Sequence, residues 1–305
     1  MSTAAPDLRR LMRQAGVRPE SPAPACEPPA PEHVGSEGDI PATARLAALR
    51  LLLQRRERAV VRQPDAGVAS GSIAPEPPLP GTEIAPGLRL CVAYGHWPRL
   101  DDALDVDFAG PRWTGPPRVS RRQLLCFDTE TTGLAGGTGT RAFMIGAADW
   151  MDDGRLRLRQ LMITRLGAER AMLEAFREWL DPGTVLVSYN GRSYDAPLLN
   201  TRYRLARMAS PLQGLAHLDL LHPVRRRWRG LWPNCRLATV ERELLGVARE
   251  DDLPGSQAPA AWLHYLRCGR GVGRLNRVLA HNAQDLRSLG GLLGRLAESR
   301  IPPDA

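Results

Sequence analysis

The sequence predicts an α/β protein: a mixed β-sheet flanked by helices, preceded by a disordered or helical N-terminal extension. Three observations lead there. From about residue 121, three strand-like runs follow one another, "LLCFDTE", "RAFMIGAADW" and "RLRLRQLMIT". Short apolar runs then alternate with longer segments of helical period, which describes a part-antiparallel, part-parallel sheet covered by helices. The N-terminal stretch, by contrast, is rich in Pro, Ala and Glu ("PESPAPACEPPAPEH") and cannot bury a core.

Taken in order, residues 1–85 form the extension. It contains one amphipathic helix over 41–62, with Leu46, Leu49, Leu53 and Val60 on one face and Arg55, Arg58 and Arg62 opposite. That helix either docks on the main domain or serves as a nucleic-acid arm. Residues 86–120 read as a small accessory β segment, and 121–300 as the principal domain. Within it a glycine-rich turn, "GGTG", joins the first two strands. "GAERAMLEAFREWL" is a helix with Met172, Leu173, Phe176, Trp179 and Leu180 on one stripe, stopped by Asp181-Pro182-Gly183. "TVLVSYN" is a short buried strand, "APLLNTRYRLARM" a helix opening near Pro197, and "AHLDLL" another strand. "CRLATVERELLGV" and "RLNRVLAHNAQDLRSLGGLLGRL" close the domain as helices.

Composition narrows the function classes. At 43 % hydrophobic residues the chain can build a sizeable core. A net charge of +8 favours polyanionic partners. All 41 basic residues are arginine, as a GC-rich bacterial genome produces, and arginine binds phosphate bidentately. The 5 cysteines form no CxxC pair, which argues against a thiolate zinc site and fits a reducing cytosol. No apolar run approaches the roughly 20 residues of a membrane span, so no membrane association and a cytoplasmic location are expected.

The chemistry gathers at three places. Asp128 and Glu130 stand two apart at the end of the first strand and therefore face the same side. Like charges so placed repel and raise each other's pKa, which Mg2+ or Mn2+ relieves; a solvated pair at a strand end is the plain alternative. Asp195 follows a short strand and precedes Pro197, where helix capping alone accounts for it. Capping does not account for the polar turn at Tyr189-Asn190-Gly191 just before, of the kind where ligand sites gather. His281 and Asp285 are four apart on one helix face, either an i,i+4 surface pair or groups beside a groove.

In the order Asp128, Glu130, Asp195, Asp285, with a histidine one turn before the last, the set resembles the DEDD 3′–5′ exonucleases of the ribonuclease-H-like fold. "FDTETTG" is similar to their first motif, and "SYNGRSYDAPLL" to the second motif of proofreading domains in B-family DNA polymerases. "CRLATVERELLGV", "EDDLPG" and "VLAHNAQDLRSL" resemble the YprB-like family of bacterial exonucleases. The likeness covers about residues 121–300. It departs at His281, which stands four before Asp285, the spacing of the tyrosine in that superfamily rather than of its histidine.

The resemblance implies two Mg2+ or Mn2+ ions about 4 Å apart, held by Asp128, Glu130, Asp195 and Asp285, hydrolysing phosphodiester bonds at single-stranded DNA or RNA ends. His281 would serve as general base, or else orient water or phosphate. Thr131, Asn190 and Tyr194 would touch the terminal nucleotide, Tyr194 by stacking on a base unless it belongs to the core. Asp219 would support the site. "HPVRRRWRGLWPNCR" sets Arg225, Arg226, Arg227 and Arg229 beside Trp228 and Trp232, either a grip on single strands or a solvated loop anchored by its tryptophans. Two other readings use the same fold, a non-catalytic nucleic-acid-binding scaffold and a structure-selective endonuclease.

Overall fold

An antiparallel meander forms the middle of the sheet, because three strand-forming runs follow each other in sequence. They are β5 (Leu124–Thr131), β6 (Ala142–Trp150) and β7 (Leu156–Ile163). In this computed structural model residues 76–133, 139–249 and 253–298 are described. The expected 41–62 helix, most of the "GGTG" turn and the acidic Glu250-Asp251-Asp252 lie outside them.

Two short strands complete the other half, each entered after a helix as parallel pairing requires. β8 (Val185–Ser188) lies parallel to β5, and β9 (Ala216–Asp219) parallel to β8. Upstream, β1 (Thr82–Ala85) and β2 (Leu88–Gly95) form a hairpin, and β3 (Ala103–Asp105) pairs with β4 (Arg118–Ser120). β2 runs antiparallel to β7 from Leu88↔Ile163 to Gly95↔Leu156. The sheet thus has seven strands in the order β1-β2-β7-β6-β5-β8-β9. The segment expected as a small accessory β unit over 86–120 is divided: β2 extends the main sheet, while β3 and β4 form a separate two-stranded sheet.

Six α-helices are described: α1 (Glu169–Arg177), α2 (Asp195–Leu205), α3 (Leu221–Trp228), α4 (Leu237–Val240), α5 (Ala258–Cys268) and α6 (Val272–Glu298). α4 runs on into a π-helical turn, Glu241–Leu245. α3 falls where a loop was one expectation, with Trp228 at its end and Trp232 just beyond it. Trp228 and Trp232 stack on each other at 4.7 Å between ring centroids and pack against the core, so they anchor the segment.

Alternation along β5 divides the core between the two faces of the sheet. Leu125 and Phe127 pack with Phe143, Phe176, Tyr203 and Trp262. Leu124 and Cys126 face Ala148, Trp150 and the α6 leucines Leu286, Leu289 and Leu293. Each such side chain stabilises the fold by roughly 1.5–3 kcal/mol on burial. With 27 residues α6 is about 40 Å long, enough to cross the whole sheet. It lies close because β6 offers no side chain at the crossing. A Cβ on Gly146 would come 2.1 Å from Asn282 Oδ1 and 2.8 Å from Leu286 Cδ1. Gly146→Ala is therefore expected to destabilise the protein by about 1–3 kcal/mol, the usual cost of overpacking. Urea unfolding checks this, and an unchanged midpoint would mean that α6 is not seated as described.

Candidate active site

Asp128, on the α6 side of β5, pairs across the ladder with Gly146. The absent side chain at Gly146 leaves room for fully buried Asn282, whose Nδ2 donates to Asp128 Oδ2 at 2.9 Å. Gln160 fixes that amide in turn, its Nε2 donating to Asn282 Oδ1 at 2.9 Å and to the Leu279 carbonyl at 2.8 Å. Glu130, two residues on, is buried next to an irregularity in the β5–β6 register. Burial pushes the Asp128 carboxyl well above the usual carboxylate range, and the charges of Asp285, Asp195 and Glu130 push it further in the same direction. Those four carboxylates therefore share one electrostatic neighbourhood.

Asp195 arrives from the parallel side. The β5–β8 ladder ends at Cys126↔Val187, so the Thr129 amide beyond it has no strand partner. Asp195 Oδ1, in the first turn of α2, accepts from that amide at 3.2 Å and also from the Thr129 hydroxyl. The residue between Asp128 and Glu130 thus ties the start of α2 to the end of β5. Burial raises the Asp195 carboxyl, against the hydrogen bonds from Thr129. The preceding loop is shaped by Asp219, which is 4 % exposed. Its carboxylate accepts from the amides of Asn190 at 2.7 Å, Arg192 at 3.1 Å and Leu221 at 3.1 Å. Asn190 adopts a left-handed conformation, φ 66°, and a Cβ on Gly191 would meet Ser188 Oγ at 2.5 Å. The chain can turn this tightly into α2 only with such residues.

Asp285 is engaged by two groups. Arg249 Nη2 donates to its Oδ1, and His281 Nε2 stands 3.4 Å from its Oδ2. Arg249 also forks onto Glu241, from Nε to Oε2 at 2.7 Å and from Nη2 to Oε1 at 2.6 Å, while its Nη1 lies 3.1 Å from His281 Nδ1. Guanidinium can only donate, so His281 Nδ1 accepts here and the ring proton sits on Nε2, toward Asp285. Burial works against the arginine's charge, but Glu241 and Asp285 outweigh it and hold Arg249 above its ordinary value. Glu241, its side chain 1 % exposed, also accepts from Ser288 Oγ at 2.5 Å.

As the side chains stand, no three acidic, histidine or cysteine groups among the described residues are placed to grip one ion, with Asp195 turned to Thr129 and Asp285 to Arg249. Of the other expected contacts, Thr131 donates its hydroxyl to the Gly133 carbonyl at 3.0 Å. Tyr194 is 64 % exposed beside Asp195, which removes the core alternative for it. Reading the residues in order missed Thr129, Gln160, Glu241, Arg249 and Asn282, and placed Asp219 below the four acids although it builds the loop that leads to one of them. No helix of the described residues is long and apolar enough to cross a membrane.

Comparison with known proteins matches this architecture. Residues 125–297 fit the family model RNase_H_2 of the RNase_H superfamily. Over 191 residues the chain is 39 % identical to the uncharacterized protein YprB of Bacillus subtilis (strain 168), covering 61 % of this chain and 46 % of that protein. The chain thus spans less than half the length of that relative. A family B DNA polymerase from the hyperthermophilic archaeon Pyrobaculum calidifontis aligns with a TM-score of 0.45 at 18 % identity, over 57 % of this chain and 24 % of the polymerase. With the family match running from β5 through nearly all of α6, this chain belongs to the RNase H superfamily.

Proposed function

We propose that this protein is a metal-dependent nuclease that removes nucleotides from the 3′ end of single-stranded DNA or RNA. The observation that carries the reading is the pressure on Asp128, whose carboxyl is raised by burial and by the charges of Asp285, Asp195 and Glu130 together. Acids collected in this way, all oxygen donors, fit Mg2+ or Mn2+. RNase H-like nucleases generally use divalent metals, which is consistent. Asp128, Glu130, Asp195 and Asp285 would hold two ions. Such ions, when bound, make water a better nucleophile and stabilise the charge on the phosphoryl oxygens and the leaving oxygen.

The chain's own groups would do the rest. Asn282 keeps Asp128 oriented, and Thr129 sets Asp195 against β5. Tyr194 offers an exposed ring beside Asp195 for a terminal base, and Thr131 at the end of β5 and Asn190 just after β8 would contact the terminal nucleotide. His281 would hold a proton at Nε2 and take part as base only after exchanging its present partners. The His281→Ala variant distinguishes the roles. A general base implies a fall in maximal rate of about 10²–10⁴-fold, smaller at high pH, with little change in metal affinity. A supporting role implies weaker metal binding and full recovery at saturating Mn2+. A pH–rate profile across a Mn2+ series reads both.

The reading is tested with 5′-labelled single strands, DNA and RNA, incubated with Mg2+ or Mn2+ beside the same strands carrying a blocked 3′ end. A ladder shortening from the 3′ end, suppressed by the block and by chelator, is expected. Internal cuts that ignore the block would favour the endonuclease alternative, and intact strands that still bind would favour the scaffold.

A further inference from the structure

A cavity of about 220 Å³ opens beside the edge strand β9, with none of Asp128, Glu130, Asp195 and Asp285 in its wall. Its wall carries Arg112, Arg192, Arg226, Trp113, His217 and Asp219. We propose that this cavity binds a nucleotide unit, its phosphate on the arginines and its base against Trp113.

The charge balance leads to that ligand class. Asp219 is an acid in the wall, but both its oxygens are committed to the amides of Asn190, Arg192 and Leu221. The guanidinium groups of Arg112 and Arg192 have no hydrogen bond or ion pair among the described residues. Arg226 is fixed, donating from Nη2 to the Phe108 carbonyl, and it lies where a Cβ on Gly110 would stand 2.3 Å from its Nη1. One anchored and two uncommitted guanidinium groups therefore face one concavity, the fork geometry that suits phosphate. Burial pushes His217 down to about 4, so near neutrality it adds a polar but uncharged edge, with Nε2 2.7 Å from Ser188 Oγ. Trp113 donates its indole N–H to the Pro116 carbonyl at 2.9 Å and is half-buried, packed on the core and beside Gly115, so only the part of its ring that lines the cavity is offered for stacking.

The cavity also borders the candidate active site in sequence, since Arg192 lies three residues before Asp195 on the loop that Asp219 holds. A nucleotide bound there would grip a strand at a second point. The inference stands on the cavity's own chemistry and not on hydrolysis, and its test excludes turnover.

The full chain is titrated in chelator, so that no divalent ion takes part. Fluorescein-labelled ten-nucleotide single strands are the probe, with adenosine 5′-monophosphate and inorganic phosphate as competitors. Arg112 and Arg192 are exposed, so Arg112→Gln/Arg192→Gln should fold normally, as circular dichroism checks. We expect that double variant to bind at least about tenfold more weakly with a shallower salt dependence, by roughly one unit of slope per arginine. Trp113→Leu should weaken binding about tenfold. Arg274→Gln, an exposed arginine outside the cavity, should stay within about twofold. Displacement by the mononucleotide would assign the site to a terminal phosphate, and displacement by strand alone to an internal one; either supports the proposal. Binding by the double variant within about twofold of wild type, an equal loss in Arg274→Gln, or no binding by wild type overturns it.

Discussion

Asp128→Ala is expected to lower the rate of strand shortening by about 10³-fold or more while leaving the metal-free protein at least as stable. The two effects have opposite signs for one reason. Burial first, and then the charges of Asp285, Asp195 and Glu130, oppose ionisation of Asp128, so removing it relieves both the desolvation and the repulsion. The same repulsion is what a divalent ion would convert into binding, and metal stabilisation of transition-state charge is worth several kcal/mol, or several powers of ten in rate. Asp128→Asn keeps the volume and the contact with Asn282, so a packing defect can be separated from the loss of charge. Turnover and thermal melting in chelator are read on all three proteins. An active alanine variant, or an asparagine variant melting well below wild type, would contradict this account of the residue.

Arg249→Met should have the largest effect on stability, a loss of about 3–5 kcal/mol. That is the usual result when one partner of a buried ion pair is removed and the other is left alone. Glu241 would be that group: its side chain is 1 % exposed, and only Ser288 Oγ would remain of the donors described above. Arg249→Met combined with Glu241→Gln should recover much of the loss, because the buried charge is then gone as well. The single variant should also bind Mn2+ more tightly, since Asp285 would no longer be engaged by guanidinium. Chemical unfolding monitored by circular dichroism gives the stability figure. A loss below about 1 kcal/mol would show that the network around Glu241 contributes little.

Much of this was legible in the residues, for identifiable reasons. β5 and β6 declared themselves as apolar runs and β7 by alternation, and α6 by a leucine stripe that the structure buries at Leu279, Leu286, Leu289, Leu293 and Leu296. Asp128 and Glu130 stood out because two acids on one side of a strand end have no basic neighbour in sequence, and Asp195 and Asp285 because they follow in the order of a known acid set. The supporting residues were not legible because their partners are distant along the chain. Asn282 meets Asp128 across 154 residues, and Arg249 meets Asp285 across 36. Arg249 also belongs to a population of 41 basic residues, all arginine, and nothing local marks it. α3 was hidden by its arginines and tryptophans, which suit a solvated loop equally well until Trp228 and Trp232 are seen stacked on the core. The assignment of β2 to the main sheet could not be read locally either, since the strand that joins it to that sheet, β7, lies more than sixty residues downstream.

The claim on which the rest depends is that these four acids form one divalent-metal centre. Isothermal titration of the full chain with Mn2+, wild type beside Asp128→Ala, tests it without requiring any substrate. The account predicts saturable Mn2+ binding by the wild type, with a stoichiometry approaching two, and its loss in the alanine variant. Equal binding by both proteins, or none by the wild type, would contradict it.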